Sequence, residues 1–85
     1  MKEKLERRFL AKLEKVNHIS ENKHYVGYSK LYEKNIFIKI FKDENKFILE
    51  NEILKNESSL YITSDYLNNI LVLTYREYSD LVTCD

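Results

Sequence analysis

Glycine and cysteine each occur once in the 85 residues, and proline and tryptophan do not occur. A lone Gly27 excludes a glycine-rich phosphate loop, which needs several glycines for its turn and close backbone approach. It also excludes a collagen-like or low-complexity polymer. A lone Cys84 forms neither an internal disulfide nor a thiolate metal site, so a reducing compartment is the expected setting. Net charge is absent too, with 14 basic against 14 acidic residues. Bulk charge therefore gives no reason to expect a polyanion binder. No run approaches the roughly 18 apolar residues of a membrane helix. The opening Met1-Lys2-Glu3-Lys4-Leu5-Glu6-Arg7-Arg8 lacks the apolar core of a signal peptide. A cytoplasmic protein with no membrane association is the expectation.

What is present fits one small domain, residues 1–85. Hydrophobic residues make up 44% and charged residues 33%. A chain of this size buries about 60–65% of its unfolded surface. Its charges are unevenly placed. Residues 1–42 carry eleven basic and five acidic side chains (+6), and residues 43–85 carry three basic and nine acidic (−6). Such asymmetry points to oriented docking, head-to-tail self-association or one charged face offered to a partner.

Leu5, Phe9, Leu13 and Val16 recur at spacings of four, four and three, which predicts an amphipathic helix over 2–17. A polar connection follows at 18–23. Residues 24–33 read as a strand, with Val26, Tyr28 and Tyr32 on one face and Tyr25, Gly27 and Leu31 on the other. Lys34-Asn35 reads as a turn. The clearest strand is 36–42, where Ile36, Ile38 and Ile40 alternate with Phe37, Lys39 and Phe41. Asp43 caps a predicted helix over 43–56. Its spacing sets Glu50 on the packed side, near Phe47, Ile53 and Leu54. Strands at 60–67 and 70–76 form a hairpin about Asn68-Asn69. Residues 77–85 read as a polar tail.

The expected fold class is α+β: a four-stranded, mainly antiparallel sheet with one or two covering helices, in the order α-β-β-α-β-β. The sheet spans 24–76. The core is expected at Phe9, Leu13, Ile36, Ile38, Ile40, Phe47, Leu54, Ile62, Ile70 and Val72. A permuted ferredoxin-like sandwich fits the same element order.

No catalytic set assembles from spacing. His18 and His24 lack further ligands at metal spacing and read as polar residues flanking a loop. No serine sits in a glycine elbow. Two binding surfaces are open to this composition. Seven tyrosines suit a protein interface, because tyrosine offers large contact area at low entropic cost. The basic half, with Arg7, Arg8 and Lys12 beside Tyr28 and Tyr32, suits either a protein partner or nucleic acid. Conversely, the acidic half would imitate nucleic-acid phosphates.

One constellation has a specific form. Tyr25-Val26-Gly27-Tyr28 leads into Ile36-Phe37-Ile38-Lys39-Ile40-Phe41, then a helix with Glu50-Asn51-Glu52-Ile53-Leu54, then Ile70-Leu71-Val72-Leu73-Thr74-Tyr75. Over roughly 24–78 this resembles the small N-terminal lobe of protein kinases and, more closely, of aminoglycoside and choline phosphotransferases. In that family the strand lysine holds the α- and β-phosphates of ATP, and a helix glutamate orients it. The resemblance implies those roles for Lys39 and Glu50, and implies that 71–76 lead toward an adenine-contacting hinge. The glycine-rich loop is reduced to Gly27. The 85 residues contain no His-Arg-Asp and no Asp-Phe-Gly, so this chain alone is expected not to be an enzyme. It is expected to need no cofactor, ATP and magnesium entering only if it serves as the nucleotide lobe of a split phosphotransferase. The leading expectation is a non-enzymatic module or inhibitor that docks on a larger protein, with a homo-oligomer also open to it.

Overall fold

The computed structural model describes residues 1–16 and 22–74. His18, the expected strand end at 75–76 and the tail 77–85 with Cys84 lie outside the described residues. The elements are α1 (Lys2–Phe9), β1 (Ala11–Val16), β2 (Lys23–Ser29), β3 (Lys34–Ile40), α2 (Glu44–Glu57), β4 (Tyr61–Asp65) and β5 (Ile70–Thr74). The class is α+β, as expected. The sheet, however, has five strands in the order β1-β2-β3-β5-β4, and every neighbouring pair is antiparallel.

The extra strand comes from the expected 2–17 helix, which stops at Phe9. Leu10 turns left-handed (φ 49°, ψ 52°) and its N–H closes the last turn on the Glu6 carbonyl. Glycine usually fills such a position, so the stop carries no sequence signal here. Leu13 lies four residues after Phe9 and also alternates with Lys12 and Glu14, so it satisfies both periods. Pairing decides between them, because β1 meets β2 over six residue pairs, from Ala11↔Ser29 to Val16↔His24.

The second correction concerns Tyr32. The strand expected over 24–33 ends at Ser29. The buried Ser29 hydroxyl donates to the Phe9 carbonyl (2.6 Å) and accepts from the Tyr32 N–H (3.1 Å). This side-chain turn competes with the ladder, and Glu33 completes the reversal at φ 57°. Lys34 and Asn35, expected as a turn, open β3 instead.

The sheet is packed on both faces. On one, Leu13, Tyr25, Ile36, Ile38, Ile70 and Val72 close against Leu5 and Phe9 of α1. On the other, Phe41, Phe47 and Leu71 form a second cluster, bordered by Leu54, Tyr61 and Leu73. Seven of the ten expected core residues are buried, while Ile40, Leu54 and Ile62 are half-buried at its margin. Asp43 caps α2 as its composition dictates, accepting from the Asn45 N–H. Asn69 takes a positive φ of 56° in the hairpin turn. Among the described residues, no helix is long and apolar enough to cross a membrane.

Candidate functional site

Alternation along β3 sends Phe37 and Lys39 to the face that α2 covers. On α2, Glu50 lies three residues beyond Phe47, which is fully buried and anchors the helix. Sheet pleat and helix pitch thus bring Lys39 and Glu50 together, eleven residues apart in sequence. The Lys39 ammonium donates to both carboxylate oxygens, at 3.0 Å to Oε2 and 3.2 Å to Oε1. It also stands 4.8 Å from the centroid of the Phe41 ring. The Lys39 side chain is 20% exposed and that of Glu50 is 38%. Water reaches both, so the pair contributes at most about 1 kcal/mol to stability. Its consequence is orientation. A lysine on a flexible stem is fixed at the sheet surface, with one of its three N–H donors still available to an anionic oxygen.

Glu50 reaches this position from the flank of α2. The centre of the packed face is taken by Asn51, fully buried beside Phe47 and Leu54. The amide of Asn51 donates to the Tyr66 hydroxyl at 2.5 Å, and the Tyr66 ring meets Phe47 edge-on at 5.3 Å. Tyr66 comes from the β4–β5 turn, so this hairpin holds the helix that carries Glu50. The sequence reading missed Asn51 and Tyr66. The available signal was an asparagine at the centre of the 47–51–54 stripe, an unfavourable choice for a buried helix face.

Across the ladder, Lys39 faces His24 on β2 and Leu71 on β5. His24 is buried and stacks on Phe37, with centroids 5.4 Å apart and planes 12° apart. It is a packed ring rather than a loop-flanking polar residue. Beside Glu50, a shallow groove of about 280 Å³ is lined by Phe41, Leu49 and Ile53.

The residues expected to meet a partner disperse. Arg8 is tied to Asp65 (2.9 Å) and lies over the Phe9 ring. The Asp65 carboxyl is lowered to about 2 by the Asn68 side chain, then by Arg8, with backbone N–H groups of Leu67 and Asn68 adding to the effect. Arg7 is exposed in the last turn of α1. Lys12 and Tyr28 are cross-strand neighbours lining one groove. Tyr32 packs with Phe9 on the opposite side of the sheet, ring centroids 6.1 Å apart. Tyr28 and Tyr32 therefore do not form one stacking platform. Gly27 lies within β2 opposite Leu13 and Ile36, not in a loop. Among the described residues, no three His, Cys, Asp or Glu side chains gather as a metal site.

No protein-family model, curated protein or solved structure matches the chain.

Proposed function

We propose that the domain is a phosphotransferase-type small lobe that works by docking on a larger partner protein, with Lys39 as its contact for nucleotide phosphates. The observation that carries this reading is the Lys39–Glu50 pair, at 3.0 Å between third strand and following helix. Protein kinases place their phosphate-binding lysine on the third strand and pair it with a glutamate of the next helix. The resemblance paired Lys39 with Glu50 from a four-stranded reading. Adding β1 makes the lysine strand the third, which strengthens the comparison. Phosphoryl transfer also needs groups that hold magnesium and receive the hydroxyl proton. The motifs that supply them in kinases are absent from the 85 residues, so those groups come from outside this domain.

Titration calorimetry with Mg-ATP tests the phosphate role. Wild type binds, Lys39→Ala loses binding while retaining its melting temperature, and Glu50→Gln weakens it. A folded wild-type chain that binds no nucleotide refutes that role. Capture with the tagged chain, with and without nuclease, tests docking. One stoichiometric, nuclease-resistant protein supports it, and recovery of chaperones alone counts against it.

A further inference from the structure

The charge asymmetry of the sequence becomes spatial through the strand order. β1, β2 and β3 come from the basic half and lie together; β5 and β4 come from the acidic half and lie together. The two halves do not interleave within the sheet: β1, β2 and β3 are each net positive, β5 carries no charge, and β4 carries only Asp65, paired with Arg8 of α1.

Each half also carries an exposed apolar patch. On the basic side, Leu10 and Tyr28 line a groove with Lys12 and Lys30, and Leu31 follows in the adjoining turn. Leu10, Tyr28 and Leu31 are each 51–53% exposed. On the acidic side, Ile48, Leu49 and Ile53 project from α2 at 41–65% exposure, around an exposed Glu52. Glu44 and Glu57 lie at the two ends of that helix, and Asp43 caps it. Scattered surface leucines need no explanation, but apolar groups clustered inside a charged rim mark an interaction site. Here the two clusters carry opposite net charge: Lys12 and Lys30 outnumber Glu6 in the groove, and the acidic residues of Asp43–Glu57 outnumber Lys46 and Lys55.

We infer that the two patches are partners: the outer face of α2 in one copy docks in the Leu10–Tyr28 groove of a second copy. The occupant follows from complementarity. Lys12 and Lys30 meet Glu52 and its acidic neighbours, while Tyr28 and Leu10 cover Leu49 and Ile48. Opposite charges at the rim set orientation and encounter rate, and apolar burial at the centre supplies affinity. Because the two contacting patches differ, the assembly either closes as a ring or propagates.

Sedimentation velocity across a protein concentration series tests this, on nuclease-treated chain at low and high salt. The expected result is a mass above the monomer at low salt, with association about tenfold weaker after a tenfold rise in ionic strength. Glu52→Lys and Lys30→Glu, each at an exposed site, are expected to be monomeric alone. Mixed in equal amounts they associate again, because each reversed patch finds its complement. Leu49→Ser also weakens association, and the measurement contains no nucleotide, so its outcome is independent of nucleotide binding. A monomer under all conditions overturns the inference. So does association that survives both reversals, a reversed pair that fails to complement, or association that vanishes on nuclease treatment.

Discussion

Replacing Gly27 with alanine tests whether the only glycine serves β1–β2 packing. Gly27 is in β2, opposite Leu13, without a positive φ that would itself require glycine. An added Cβ would run into the Lys12 backbone carbonyl oxygen and would stand 3.0 Å from Leu13 Cδ2. A leucine methyl can rotate away, but a carbonyl within a paired strand cannot. Relief requires β1 to move by roughly an ångström, toward ordinary van der Waals separation. Overpacking of this kind costs about 1–3 kcal/mol. Against it, alanine restricts the unfolded chain and returns about 0.4–1 kcal/mol. Because the clash is with backbone, the cost falls in the middle or upper part of that range, and the net expectation is a loss of about 1–2 kcal/mol. For a domain of this size that corresponds to a Tm lower by roughly 4–16 °C. Thermal and urea unfolding followed by far-UV circular dichroism give the answer. An unchanged or raised Tm would falsify the close-approach argument.

Phe47→Ala removes the ring that joins Phe41, Leu71 and Tyr66, and urea unfolding is expected to show a loss of about 3–5 kcal/mol. Tyr66→Phe keeps the ring but leaves the buried Asn51 amide without its hydroxyl, at a cost of about 1–3 kcal/mol. Adding Asn51→Leu to Tyr66→Phe should recover most of that loss, and a double mutant as unstable as the single one refutes the pairing. Asp65 has a folded pKa of about 2, lowered from the ordinary 3.8 of an aspartate. Its ionised form therefore stabilises the fold above pH 4, and that contribution is lost as pH falls from about 4 to 2. Asp65→Asn should flatten the acid limb of a Tm–pH profile across that window, and an identical slope in both proteins would contradict the assignment.

The readable parts of this fold are those where one period dominates. Ile36, Ile38 and Ile40 alternate without ambiguity, and β3 lies where that alternation puts it, two residues early. Ile70 to Leu73 are apolar on both faces because β5 is paired on both edges and packed on both sides. The unread parts depend on tertiary contacts. Leu13 fits a helix or a strand, and only β2 chooses. Leu10 ends α1 in a conformation that leucine rarely adopts. Tyr32 turns to the α1 side because of a hydrogen bond from its own N–H to Ser29. Losing β1 to the helix also hid the five-stranded count. The strand face of Lys39 and the helix side of Glu50 were nevertheless legible, since each needed only the local pitch of its own element, while their pairing came from the resemblance.

α2 shows why hydrophobicity alone could not orient it. Phe47 and Leu54 lie on one side, while Ile48, Leu49 and Ile53 lie on others, so apolar residues nearly encircle the helix. Rotation about its axis would exchange one apolar set for another at small cost in buried area. The chosen rotation buries Asn51 completely and leaves Ile53 half exposed. Transfer energies run the other way, because an asparagine is costly to bury and an isoleucine is costly to expose. Two contacts offset that preference. Asn51 donates one amide N–H to the Tyr66 hydroxyl, while its Oδ1 has no partner among the described residues, and Glu50 finds Lys39. A single buried polar contact can fix helix register in this way. The orientation that completes the Lys39–Glu50 pair is therefore also the one that leaves Leu49 and Ile53 at the surface, and the acidic apolar face follows from how the site is built.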